Sequence, residues 1–113
     1  IVANSNETTV SVLLGLGTGS LAARVNYPVL VGTTDIAVLD ANKDSRPDIV
    51  VVNYFNNSLS ILLGDGLGGL GTRTDFTTGT GPANLAIADL NGDGNTDLIT
   101  SNADANTLSV LFG

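Results

Sequence analysis

Three features of the sequence predict an all-β chain of four-stranded antiparallel blades of a β-propeller-type repeat, about two blades long. The chain matches itself at an offset of 49 residues without gaps, its apolar runs are short and broken by Gly, Asn or Asp, and strong helix formers are nearly absent. The offset is set by three copies of one segment, residues 1–15 (IVANSNETTVSVLLG), 50–64 (VVVNYFNNSLSILLG) and 99–113 (ITSNADANTLSVLFG). Asn4, Asn53 and Asn102 fall in register, as do Ser11, Ser60 and Ser109. With one Glu, one Lys and no Gln, and with no sustained 3.6-residue period, helical repeats are excluded.

Within one period four strands are expected. Strand A, at 34–39 and 83–88, is an apolar run that enters an acidic loop. Strand B follows that loop at 49–53 and 98–102, with a first copy at 1–4. Strand C, at 9–14, 58–63 and 107–112, shows little alternation, which predicts burial on both faces. Gly-rich turns at 15–20 and 64–69 lead to strand D, at 21–27 and 70–76, whose Arg24, Asn26, Arg73 and Asp75 mark it as an edge strand. The chain therefore divides into a partial blade at 1–33 (strands B, C and D), a full blade at 34–82 and a partial blade at 83–113 (strands A, B and C).

Composition bounds the function. The 113 residues are enough for one small module, and 42% hydrophobic against 13% charged residues describes a chain with a core. That core is aliphatic, because there are three Phe, two Tyr and no Trp or Met. Four basic residues against a net charge of −7 cannot track a phosphate backbone, so nucleic acid is excluded as a partner. No apolar run reaches the ~20 residues of a helical membrane span. The absence of a leader segment before Ile1 reads as a processed or excised product.

Six of the eleven acids, Asp40, Asp44, Asp48, Asp89, Asp93 and Asp97, sit in two nine-residue loops, 40–48 and 89–97. With Asn42 and Asn91, each loop carries oxygen side chains at positions 1, 3, 5 and 9. Such crowded oxygens repel one another unless a hard divalent cation such as Ca²⁺ lies between them. Two Ca²⁺ would bring the formal charge from −7 to −3. An EF-hand is excluded, because Val51 and Thr100 stand where its bidentate Glu would be. Tandem nine-residue calcium repeats are excluded by the period of 49. The same residue types also fill hairpin turns that bind nothing.

The loop pattern Asp-x-Asn-x-Asp-Gly-x-x-Asp, the strand end Leu111-Phe112-Gly113 and Gly81-Pro82-Ala83 before the next apolar run resemble FG-GAP or VCBS repeats. These are the calcium-binding blades of integrin α-subunit propellers and of many secreted or surface proteins. The resemblance covers the whole chain. It departs at Ser45 for Gly94, at Leu63 for Phe112 and at Thr33-Thr34 for Pro82-Ala83. It implies Ca²⁺ ligation by Asp40, Asn42, Asp44, the Arg46 carbonyl and Asp48, and by Asp89, Asn91, Asp93, the Asn95 carbonyl and Asp97. The second site is expected to be tighter, because Gly94 accepts the left-handed turn that would strain Ser45, and because Lys43 and Arg46 add positive charge to the first loop.

Two incomplete blades imply assembly, either with identical chains in a ring or fibre or with further blades of a longer chain. An extracellular, secreted or cell-surface setting follows from the high free Ca²⁺ that such loops use. With no His or Cys and with scattered remaining carboxyls, no enzyme activity is expected. The alternative is a lectin-like propeller that binds a glycan on Tyr27, Tyr54, Phe55 or Phe76; a protein ligand is also compatible with the module. The triplets Asn6-Glu7-Thr8 and Asn56-Asn57-Ser58 are candidate glycosylation sites in the B–C turns.

Overall fold

The computed structural model describes residues 1–4 and 6–113 of the chain. It contains ten strands: β1 (Val2–Asn4), β2 (Thr9–Val12), β3 (Val25–Pro28), β4 (Thr33–Leu39), β5 (Asp48–Asn53), β6 (Ser58–Gly64), β7 (Leu70–Thr77), β8 (Pro82–Ala88), β9 (Asp97–Asn102) and β10 (Thr107–Leu111). There is no α-helix among the described residues, and a single 3₁₀ turn spans Tyr54–Asn56. The strands form a four-stranded sheet, β4-β5-β6-β7, between two three-stranded sheets, β1-β2-β3 and β8-β9-β10. Every pairing is antiparallel and joins strands that are neighbours in sequence. The sheets are blade-like and none closes into a barrel.

Side-chain alternation explains why the sheets stack. In β5 all six residues are buried, so the strand has apolar side chains on both faces. Register puts Ile49 and Val51 opposite Leu62 and Ser60 on one face, and Val50 and Val52 opposite Ile61 and Leu59 on the other. The first face packs against Val10 and Val12 of the first sheet and Val29 just after it, joined by Tyr27 of β3 and by Ile36 of β4. The second packs against Leu98, Leu85 and Leu111 of the third sheet. Each fully buried Val or Leu contributes roughly 1.5–3 kcal/mol relative to exposure, so these two thin aliphatic layers hold the three sheets together.

In the full blade strand C, β6, is buried on both faces as its run of aliphatics predicts, with Leu59 in one layer and Leu62 in the other, and strand B, β5, is buried on both faces as well. In β6 the far end reaches solvent at Leu63, and in β10 Leu108 is 69% exposed because no sheet covers it. Strand D of the first copy is shorter than expected: β3 begins at Val25, and residues 21–24 are tied to strand C only by a bridge from Gly15 to Leu21 and by the Ala22 amide on the Leu14 carbonyl. Both strands D, β3 and β7, lie at sheet edges as their polar residues predict.

Each sheet also carries a polar relay at the inner end of strand B. The Asn53 amide donates to Ser60 Oγ at 2.7 Å, and that hydroxyl donates to Asp75 Oδ1 at 2.6 Å. Asn4, Ser11 and Asn26 repeat the relay at 2.9 and 2.8 Å, and Asn102 donates to Ser109 Oγ at 2.9 Å. The internal register of Asn and Ser seen in the sequence is therefore a hydrogen-bonded line from strand B to strand C in all three sheets, which in the first two continues to an exposed residue of strand D.

Replacing Leu59, which is 0% exposed, by Ala is expected to cost about 2–5 kcal/mol in urea unfolding. Leu67→Ala, at an 85% exposed position, should stay within about 0.5 kcal/mol of the parent. Equal losses at the two positions would contradict the layered core.

Candidate metal-binding loops

The acidic loops connect β4 to β5 and β8 to β9, at the same end of adjacent sheets. Their backbones match. Positions 4 and 6 are left-handed in both, as Lys43 (φ 61°) and Ser45 (φ 65°) in the first and as Gly92 (φ 75°) and Gly94 (φ 80°) in the second. A side chain in this region costs about 1–2 kcal/mol, so the first loop stores strain that the second avoids. The expected strain at Ser45 is present, and Lys43 adds a second strained position that sequence reading missed, although Gly92 opposite it in the repeat was the signal.

The oxygen side chains fold onto the loop's own amides. Asp40 accepts from the Asp44 and Ser45 N–H groups at 3.0 and 2.8 Å, Asn42 from Asp44 at 3.1 Å, and Asp44 from Arg46 at 2.9 Å. In the second loop Asp89 accepts from Gly92 and Gly94 at 2.7 and 2.9 Å, Asn91 from Asp93 at 3.1 Å, and Asp93 from Asn95 at 2.7 Å. A side-chain bond from Asn42 to Asp44, and from Asn91 to Asp93, braces each ring. Arg46 and Asn95 enter through their amide N–H groups.

Position 9 is different. Asp48 and Asp97 are both 0% exposed, at the first residue of strand B. Asp48 accepts from Ala41 at 2.9 Å and from Gly64 at 2.8 Å; Asp97 accepts from Leu90 at 2.8 Å and from Gly113 at 3.0 Å. Each therefore ties its loop to the end of strand C. The glycine there is required twice, since its amide meets the Asp and a Cβ on Gly64 or Gly113 would collide with the carbonyl of Pro47 or Thr96. The glycine that closes each Leu-Leu-Gly or Leu-Phe-Gly run is thus part of the loop's anchorage, a role the sequence did not reveal.

Three carboxyls, one amide oxygen and a backbone carbonyl per loop make a hard-oxygen donor set suited to Ca²⁺. Among the described residues no three acidic side chains converge as a metal cluster, because the amides hold the carboxyls around the ring. An oxygen that accepts one amide keeps a second lone pair.

Electrostatics follow the same bonds. The Asn95 amide and then the Asn91 side chain hold the Asp93 carboxyl below its ordinary value of 3.8, with a small further pull from Lys43 of the neighbouring loop. Asp65, in the turn between β6 and β7, is lowered from 3.8 by the Leu67 and Gly69 amides.

Other candidates are dispersed. Asn6 and Asn56 are both exposed, Asn56 at the end of the 3₁₀ turn. Tyr27 is half-buried between sheets with its hydroxyl on the Gly68 carbonyl, while Tyr54 donates to Asp104 at 2.8 Å and stands edge-on to Phe55. Phe76 lies by a separate cleft of about 160 Å³ between the second and third sheets, so the four aromatics share no single pocket.

Ser45→Gly should stabilise the chain by roughly 0.5–1 kcal/mol in urea unfolding, since relief of the left-handed conformation exceeds the entropy glycine adds to the unfolded chain. A loss of stability would show that the Ser45 side chain itself holds the loop. Asp65 has a lowered folded value, so its stabilisation is complete above the unfolded value near 3.8 and disappears as pH falls through the folded value. The stability gap between the parent and Asp65→Asn should therefore narrow on acidification below about pH 4; a gap independent of pH would refute the assignment.

Searches of curated proteins and of solved structures gave no match. A family model described as an FG-GAP-like repeat matches residues 40–100, a stretch that begins at the first residue of one acidic loop and runs through the second into β9. That stretch is more than half of the chain, and it contains three strands of the four-stranded sheet, β5, β6 and β7, together with β8 and both loops. The chain belongs to the FG-GAP-like repeat family.

Proposed function

We propose that the chain is a calcium-stabilised structural or adhesion module that acts outside the cell through assembly with further blades, and that it performs no catalysis. The observation that carries this reading is the duplication of one loop geometry. Two loops with the same oxygen side chains and the same left-handed positions stand at one end of adjacent sheets. In this reading Ca²⁺ is held by Asp40, Asn42, Asp44, the Arg46 carbonyl and Asp48, and by Asp89, Asn91, Asp93, the Asn95 carbonyl and Asp97. The ion offsets repulsion among the three carboxyls of each loop and fastens the β4–β5 and β8–β9 hairpins. It serves shape and not chemistry. The second site is the tighter one, because both of its left-handed positions are glycines.

An extracellular setting supplies the free Ca²⁺ that loops of modest affinity need. No helix is long and apolar enough to cross a membrane among the described residues. Assembly is supported by the first and third sheets, each of which has three strands against the four of the middle sheet and presents one uncovered face.

Added Ca²⁺ should raise the melting temperature and excess chelator should lower it, as followed by calorimetry. At a free concentration one hundred times the dissociation constant, one site contributes about 2.7 kcal/mol. Asp93→Ala should remove more of this gain than Asp44→Ala. A melting temperature indifferent to both Ca²⁺ and chelator would sink the metal reading.

A further inference from the structure

Asn91-Gly92, in the second acidic loop, is the one place in the chain where glycine follows asparagine. The matched pair in the first loop is Asn42-Lys43, with the same left-handed backbone at its second residue. Both asparagines are exposed and hold one posture. Each Oδ1 accepts the amide two residues on, at 3.1 Å in either loop, and each Nδ2 donates to the Asp at that residue. Such a bond curls the side chain back over the peptide that follows it, which turns its carbonyl carbon towards the next amide nitrogen.

Two differences separate the loops. Gly92 has no Cβ, and the space where one would stand is open, whereas Lys43 carries a full side chain beside its nitrogen. The Gly92 N–H also donates to Asp89 Oδ1 at 2.7 Å, while the matched Asp40 Oδ1 takes the Asp44 amide instead. The nitrogen beside Asn91 is thus unhindered and in contact with a base. Asp65-Gly66 and Asp93-Gly94 have no amide to lose, and an ionised carboxylate is a poor electrophile.

We propose that Asn91-Gly92 is a self-modification site, at which the chain converts its own asparagine to aspartate and isoaspartate. The Gly92 nitrogen attacks the side-chain carbonyl carbon of Asn91, and its proton goes to Asp89. A C–N bond forms, the bond from that carbon to Nδ2 breaks, and Nδ2 leaves as ammonia with the proton that Asp89 returns. The cyclic imide then takes up water. Opening at one carbonyl gives Asp at position 91, and opening at the other gives isoaspartate, which lengthens the main chain by a methylene. The chemistry needs no bound ion. Either product removes the Asn91 bond that braces Asp93 and adds a fourth carboxyl to the three of the loop.

The test is incubation of the whole chain at neutral pH in chelator, followed by ammonia assay and by peptide mapping that separates Asp from isoaspartate. Residue 91 should convert at least about tenfold faster than Asn42, and to a mixture of both products. Gly92→Lys, which copies the first loop, should slow residue 91 to the rate of Asn42. An Asn91 that persists, or that converts no faster than Asn42, would overturn the site, and this comparison within the parent stands even where the variant does not fold. A product that is Asp alone would overturn ring closure in favour of direct attack by water. A folded Gly92→Lys chain that converts as fast as the parent would overturn the part given to glycine.

Discussion

A strand whose four central residues are all apolar has no face to give to water. In β5, Ile49 and Val51 point one way and Val50 and Val52 the other, and all four are fully or almost fully buried. Everything else in the architecture answers that constraint. The first and third sheets exist on either side of it as covers, and each cover is itself a repeat of the strand it protects. No large side chain is needed, because two thin layers of Val, Leu and Ile suffice when sheets lie face to face.

Burying such a strand also buries its ends, and there the chain has placed polar groups with dedicated partners. At one end Asn53 meets Ser60 and through it Asp75; at the other Asp48 receives the amides of Ala41 and Gly64. The apolar centre of the strand is bracketed by an amide and a carboxyl that are both 0% exposed. A one-residue slip of β5 would move these groups into the aliphatic layers and break their bonds, so the polar ends fix the register that the uniform apolar centre leaves free.

Much of this was legible in the sequence because the period of 49 residues displayed each strand two or three times. Strand order, the edge position of β7 and the strain at Ser45 could all be read from residue types at matched positions. The double burial of β6 was legible in its run of aliphatics, but the exposure of the matching run in β10 was not, since it depends on which sheets stack and not on residue type. Nor was the role of Gly64 and Gly113, which depends on a carbonyl seventeen residues earlier approaching too closely for any Cβ. In the loops, residue types announced the oxygen donors, while their engagement with the amides depends on backbone angles that residue type alone does not fix.

The left-handed pair Lys43 and Ser45 carries a further consequence. These residues hold the same backbone shape as Gly92 and Gly94 although neither is glycine. The hairpin and the buried Asp at its end dictate the curve, and the residues at the curve can drift within the strain the fold tolerates. A blade can thus lose the glycine signature of its loop over evolutionary time and keep its form. Counting blades by that signature would undercount them, whereas the closing glycine of strand C and the buried Asp it meets would still mark each one.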